Sequence, residues 1–370
     1  MAIRLKDIAR ELDVSVMTVS KALRGKTDIS EATRKRILKR MRELDYQPNL
    51  TARSLVTGQS YIIGLIVPDL LNPFFTEFAK SLGSALRSRS YGLILSSSEE
   101  NAEVERSEIR IMLARGVDAL VLASCQTTGK SLNNLLNRTL PFVLIDRPVP
   151  GIRATFVGTD DVAGGALATD HLIQLGRKRI AYIGSPDLSP AANRFRGFRT
   201  ALQVHDIEFR DDFVLPGESS EKAADQAGYD MMKALLKRRP RPDGVFCHND
   251  VIAIGAMRAT LDAGLAIPDD IAFVGFDNVR YSQYLPIPLS SVDQRTAQLG
   301  EAAAQLVLDL VTSETKGPHN VLLSPTLVVR QSSAGKLQAP KRSSRKTPGL
   351  LSFGRAKETR SLANFSPHDK

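Results

Sequence analysis

The residues best placed to do chemistry lie at the front of the chain. Residues 5–23 read LKDIARELDVSVMTVSKAL. Leu5-Lys6-Asp7-Ile8-Ala9 opens a helix, Asp13-Val14-Ser15 makes a tight turn, and Val16-Met17-Thr18-Val19-Ser20-Lys21 starts a second helix. Two short helices joined by so short a turn form a helix-turn-helix, whose second helix fits the major groove of duplex DNA. The chemistry expected is recognition of a polyanion rather than catalysis. His171, His205, His248, His319 and His368 are scattered and form no HxxxH or Ser-His-Asp pattern. Gly129-Lys130-Ser131 imitates the end of a phosphate-binding loop, but position 124, where the loop's first glycine belongs, is Ser124. No GxGxxG follows a strand, and Cys125 and Cys247 stand far apart with no metal-ligand spacing. No cofactor and no metal is expected, and the two thiols read as reduced core residues.

Three helices are needed to position such a reading helix, and residues 3–45 supply them. Ile8, Ala9 and Leu12 make one apolar stripe, Val16, Val19, Ala22 and Leu23 a second, and Ile37, Leu38, Met41 and Leu44 a third. Ser15 and Ser30 stand where N-caps belong. Pro48-Asn49 breaks the pattern, and a short helical piece over residues 50–56 ends at Gly58. From Tyr61 the texture changes. Apolar runs at 62–67, 93–96, 119–123, 142–145, 180–183, 244–247 and 271–274 alternate with amphipathic windows at 75–89, 103–115, 162–175, 195–204 and 223–236. Apolar strands separated by helices imply parallel sheets covered on both faces. Their number exceeds one comfortable sheet, so the expectation is an α/β core of two doubly wound subdomains with ligands at the carboxyl ends of the strands.

Charge divides the 370 residues the same way. Residues 1–58 carry 13 Lys/Arg against 7 Asp/Glu, residues 335–370 carry 9 against 2, and the stretch between carries 28 against 31. The net +10 therefore resides on the two ends, and a basic end suits a polyanion partner, although basic ends can also serve solubility alone. The boundaries expected are a helical, DNA-binding head (1–48), a short linking helix (49–58), an α/β core (59–334) and a basic tail (335–370); the family resemblance given below implies that the linking helix is a hinge and that the core binds an effector and dimerises. The tail is rich in Lys, Arg, Ser and Pro with few large apolar residues, a composition of disorder. It has no leucine heptad of the kind that makes tetramers. No run of about 18 apolar residues is present to span a membrane, and the N-terminus lacks the apolar stretch of a signal peptide, so a cytoplasmic location is expected.

The run at 5–23 closely resembles the DNA-binding segment of the LacI/GalR family of transcriptional regulators. The likeness continues through Asp28-Ile29-Ser30 and Leu44-Asp45-Tyr46-Gln47-Pro48-Asn49. In that family the two residues after the turn serine read bases, helped by a basic residue four further on. The resemblance thus assigns base reading to Val16, Met17 and Lys21. Val16 and Met17 cannot hydrogen-bond a base and would pack on thymine methyl groups, whereas Lys21 reaches a guanine edge or a phosphate. Leu5, Ser15, Thr18 and Ser20 complete the set as register-fixing contacts. For Thr18 and Ser20 plain helix surface is the alternative. The segment Asn49-Leu50-Thr51-Ala52-Arg53-Ser54-Leu55 resembles the family hinge. There Leu55 would wedge into the minor groove, with Asn49, Ala52 and Arg53 alongside.

The core resembles the family's sensor domain over residues 62–330. Its landmarks are Asn72-Pro73-Phe74-Phe75, Asp146-Arg147, Asn193-Arg194-Phe195-Arg196-Gly197-Phe198, Asn249-Asp250 and Val274-Gly275-Phe276-Asp277. The resemblance implies effector contacts from Asp146, Arg194, Asn249, Asp277 and Gln294, with Phe74 and Phe75 offering apolar faces. Asp and Asn exchange hydrogen bonds with vicinal hydroxyls, and Arg adds a planar donor fork. A helix cap or a strand-end turn is the alternative for each Asp. The family's aromatic lid falls at Ala223, so one stacking partner is missing there. Head, hinge and core together imply, by this resemblance, a homodimeric repressor and not an enzyme, acting on palindromic operator DNA under control of a sugar-like small molecule.

Overall fold

The computed structural model describes residues 3–23, 28–46, 58–126, 128–130, 132, 140–184, 189–216, 224–312 and 317–334. The hinge residues Asn49, Ala52, Arg53 and Leu55, Ala223 and the basic tail lie outside the described residues.

The head is three helices, α1 (Leu5–Glu11), α2 (Val16–Leu23) and α3 (Glu31–Glu43). The three stripes close on each other, burying Ile8, Ala9, Val19, Ala22, Ile37 and Met41, but Val16 and Leu23 at the two ends of α2 stay exposed, which corrects their place in the second stripe. Asp13 takes the left-handed backbone (φ 51°) that turns the chain between α1 and α2. The Ser15 hydroxyl caps α2 by accepting from the Thr18 N–H at 3.0 Å, and Ser30 caps α3 through the Thr33 N–H. Arg40 Nε on Glu11 at 2.7 Å ties α3 back to α1.

The core has the expected two subdomains, each around one six-stranded sheet. The first sheet contains β1 (Ile62–Val67), β2 (Gly92–Ser97), β3 (Ala119–Leu122), β4 (Phe142–Ile145), β5 (Thr155–Thr159) and β11 (Asn320–Leu323), in the order β11-β5-β4-β3-β1-β2. The second contains β6 (Ile180–Ile183), β7 (Val214–Leu215), β8 (Gly244–Cys247), β9 (Ala272–Phe276), β10 (Ser290–Asp293) and β12 (Thr326–Val328), in the order β12-β10-β9-β8-β6-β7. All pairings are parallel except β10 with β12, an antiparallel edge that corrects the expectation of wholly parallel sheets. An edge position tolerates that reversal, because a single short return suffices to place the strand.

Helices α4 (Pro73–Ser88) and α10 (Thr296–Thr312) pack together in the first subdomain, and Phe74, Phe78, Leu82, Leu299, Ala303 and Val307 share one core cluster. α5 (Ala102–Ala114) covers the opposite face through Ile109 and Met112. In the second subdomain α6 (Asp161–Gln174) pairs with α7 (Ser189–Val204), and α8 (Ala224–Leu235) with α9 (Asp250–Asp262). The chain passes between subdomains three times: from β5 into α6, from β10 into α10, and from β11 to β12. A last turn, α11 (Gln331–Ala334), is pinned by Ser332 and Ser333 to Phe273, Ser290 and His171. Among the described residues no helix is long and apolar enough to cross a membrane. Both cysteines are unpaired. The Cys125 thiol is pushed up to about 12, chiefly by burial and then by Glu105, which makes it a poor nucleophile.

Candidate functional site

Two separate surfaces carry the residues singled out above. On the head, Val16 and Met17 open α2 with 46% and 60% of their surface exposed, although both are large and apolar. The same helix buries Val19 and Ala22, so its outward face is not needed to build the head. Lys21 lies on that helix and pairs with Asp28 at 2.5 Å, a surface ion pair of little net worth that a phosphate can displace. Thr18 bonds the Ser15 hydroxyl at 2.8 Å, and Ser20 is half-buried. Leu5 is also half-buried, its side chain packed against the head core.

The second surface is the cleft between subdomains. Strands β4, β8 and β9 are followed directly by polar residues that line it. Asp146 follows β4, Asp277 follows β9, and His248 and Asn249 follow β8. Asp146 (φ 59°) and Asp277 (φ 103°) both hold left-handed backbone, which is uncommon without glycine and concentrates at functional turns. Phe74, Phe75, Asp146, Arg194, Asn249, Asp277 and Gln294, seven residues widely separated in sequence, converge on one cavity of about 60 Å³. Asn72, Arg147, Pro190, Ala191 and His248 also line it and were not among the expected contacts. The signal was available for three of them, since Arg147 adjoins Asp146, His248 adjoins Asn249 and Asn72 lies two residues before Phe74.

Arg194 sits at the centre. Its Nε donates to Asp161 at 2.7 Å, its Nη1 donates to the His248 carbonyl at 2.6 Å and lies 3.7 Å from Asp277, and its guanidinium covers the Phe276 ring at 3.7 Å. Burial works against its charge, but Asp161, Asp277 and Asp146 more than offset this and hold it protonated. Asp277 also accepts from Gln294 Nε2 at 2.7 Å. Burial drives the Asp277 carboxyl well above the ordinary carboxylate range, against the pull of Arg194. Burial raises Asp146 as well, countered by Arg147 and Arg194. Arg147 is itself clamped by both oxygens of Glu100, at 2.6 and 2.7 Å, and its buried Nε has no hydrogen bond among the described residues. His248 is held near 3, by burial first and then by Arg194, so it stands neutral in the cleft. Asn249 doubles as the cap of α9, accepting from the Ile252 N–H at 2.8 Å, while its amide nitrogen faces His248.

Two carboxyls, Asp146 and Asp277, and two guanidiniums, Arg147 and Arg194, line this cavity. Asp161 and Glu100 stand behind the arginines, so both guanidiniums are already engaged. Such a site suits a neutral molecule rich in hydroxyl groups, because no unpaired cation is left among the described residues lining it to receive an anion. No group of three metal-ligating side chains occurs among the described residues.

Residues 4–49 match the lacI family of bacterial regulatory proteins, and residues 169–333 match a periplasmic binding protein-like domain. A ribose operon repressor of Halalkalibacterium halodurans is 32% identical over 332 residues, covering 90% of this chain and 97% of that protein. The fold is shared with the lac repressor dimer bound to operator and the anti-inducer ONPF (TM-score 0.80, 24% identity, 90% of this chain and 99% of that one). A LacI family transcriptional regulator from Enterococcus faecium with bound ribose superposes with a TM-score of 0.65 at 29% identity, over 74% of this chain and 99% of that one.

Proposed function

Because this chain belongs to the lacI family of bacterial regulatory proteins, we propose that it is a cytoplasmic, homodimeric repressor that reads a palindromic operator and answers to a neutral monosaccharide of the ribose class. It is a DNA-binding transcriptional regulator and not an enzyme. The ligand class rests on one observation above all: both cleft arginines are neutralised from within by Asp161, Asp277 and Glu100. The cavity of about 60 Å³ is far below the roughly 300–1,000 Å³ that holds drug-sized molecules. Ligand entry therefore requires the three crossover segments to let the subdomains part. Closure around a sugar then changes the dimer's fit to its operator, a coupling typically of about 1–3 kcal/mol. Two-fold symmetry of the dimer would place one α2 in each half-site.

Titration calorimetry with D-ribose and ribose 5-phosphate tests the ligand class. Ribose should bind, and the phosphate should bind at least roughly tenfold more weakly, because it adds an anion to a cleft whose arginines are already paired. Tighter binding of the phosphate would refute the neutral-sugar reading.

On the head, the exposed Met17 supports base contact through apolar packing. Met17→Gln introduces an amide that can pair with adenine, and should redirect preference at one position of each half-site by about 1–3 kcal/mol. A randomised-site selection measures this. Uniform weakening across all sequences would place Met17 away from the base edges.

A further inference from the structure

Helices α6 and α7 meet where only glycine fits. A Cβ on Gly165 would lie 2.1 Å from the Arg194 carbonyl oxygen, and one on Gly197 would lie 2.1 Å from the Val162 carbonyl oxygen. The two backbones touch, so the register of one helix on the other is fixed. That register sets Asp161, the first residue of α6, beside Arg194 of α7. Their side chains are 7% and 5% exposed and meet at 2.7 Å. Asp161 does not line the ligand cavity. It stands behind the arginine, which ligand-facing residues reach from the other side.

We infer that Asp161 is a positioning residue of the ligand cleft: by taking Nε of Arg194 it aims the rest of the guanidinium at the bound sugar. This deepens the sugar-sensor reading and rests on it. The contacts of Arg194 with other described residues engage Nε and Nη1, which leaves Nη2 for a ligand hydroxyl. A charge-assisted bond to Nε holds the plane of the fork more firmly than a neutral partner does. The Phe276 ring beneath the guanidinium and the His248 carbonyl complete a three-sided seat.

Charge at this carboxyl responds to acid. The groups acting on it are Arg194 from α7, Asp146 beyond β4, Asp160 beside it and Tyr182 of β6, while Asp277 beyond β9 and neutral His248 beyond β8 reach it through Arg194. Burial first, then Asp146 and Asp160, push the Asp161 carboxyl up to about 6 against the pull of Arg194. Above that pH Asp161 is ionised and the seat is complete. Below it the carboxyl takes a proton, and Arg194 loses its strongest partner. Sugar affinity should therefore be full at neutral pH and fall as pH drops through about 6.

The full chain is titrated with D-ribose by calorimetry at about pH 7.5 and about pH 5.5, a span that brackets this titration. Wild type should lose affinity on acidification. Asp161→Asn, which keeps shape and removes charge, should bind roughly tenfold more weakly at neutral pH and lose little more in acid. Equal ribose affinity in wild type and Asp161→Asn at neutral pH would overturn the inference. A measurement without ligand separates this from a failure of the sugar reading. The Nε–H nuclear magnetic resonance signal of Arg194, assigned by its loss in Arg194→Lys, should move in wild type with a midpoint near that of the Asp161 carboxyl. Absence of any ribose binding, with a signal that so moves, would refute the sugar and keep the positioning role. A signal that ignores pH over this span would overturn the positioning role, whether or not ribose binds and whether or not Asp161→Asn folds.

Discussion

Arg194→Ala should abolish measurable ribose binding and destabilise the core by about 3–5 kcal/mol near neutral pH, the cost of removing one partner from a buried charge cluster. The loss is large because Arg194 serves three carboxylates at once. Asp161 and Asp277 lie within ion-pair distance, and Asp146 contributes to its charge balance. Arg147 cannot substitute, being clamped on Glu100. The orphaned carboxyls would escape part of the penalty by protonating, which gives the loss a direction with pH. Burial already raises Asp161 to about 6 and Asp277 well above the ordinary range while Arg194 is present. Without the arginine both rise further. A carboxyl whose folded pKa exceeds its unfolded pKa stabilises the fold fully below the unfolded value, and that stability disappears as pH climbs through the folded value. The variant should thus approach wild type in acid and diverge from it toward neutral and alkaline pH. The chain has no tryptophan, so urea unfolding followed by circular dichroism is the suitable measurement. A small, pH-independent loss would show that Arg194 is not the hub of the cleft.

The same residues show why the sequence was legible in some places and opaque in others. All seven apolar runs emerged inside or overlapping strands, six of them because a parallel strand buried on both faces must be apolar throughout, and the seventh, β2, as a half-buried edge strand. β10 escaped that logic. Its first residues, Ser290 and Ser291, are polar yet fully buried, and they are satisfied by distant partners: Ser332, Ser333 and Asp250. No local pattern announces a strand whose polar groups are satisfied from about 40 residues away. Asn249 and Asp250 make the same point in a site. Adjacent in sequence, they diverge in role. Asn249 lines the cavity, while Asp250, with 0% exposure, bonds Val279, Ser282 and Ser291 and holds the turn that follows β9. Resemblance could single out Asn249, but only the fold reveals what Asp250 supports. Asp161 was hidden for a similar reason. It reads as one of two aspartates at a helix start, and its meeting with Arg194 depends on a glycine-only crossing formed 33 residues along the chain. Met17 was the reverse case, since it falls outside the stripe of a helix whose other side is buried, whereas Val16, counted in that stripe, is 46% exposed beside it.

Deleting residues 1–58 should abolish operator recognition while leaving a folded, ribose-binding core. The apolar cluster of the head, built on Ile8, Val19, Ile37 and Met41, shares no residue with the clusters that surround the two sheets. Nothing in those sheet cores is left open when the head is removed, and their stability should change little. The cleft residues lie from Asn72 onward, so ribose affinity should be preserved. DNA binding behaves differently. The deleted piece carries +6 of the chain's +10 net charge and α2, with the exposed Val16 and Met17 proposed to read bases. Specific recognition typically exceeds non-specific binding by about 4–10 kcal/mol, and all of that difference should vanish. The basic tail stays on the truncated chain with its nine Lys/Arg, so some weak affinity for any duplex is expected at low salt and should fade as salt rises. Gel shifts with operator and scrambled duplexes across a salt series distinguish the two kinds of binding, and sedimentation reports whether the truncated chain is still a dimer. A truncated chain that still preferred operator would move sequence recognition out of the head and overturn the division between a reading head and a sensing core.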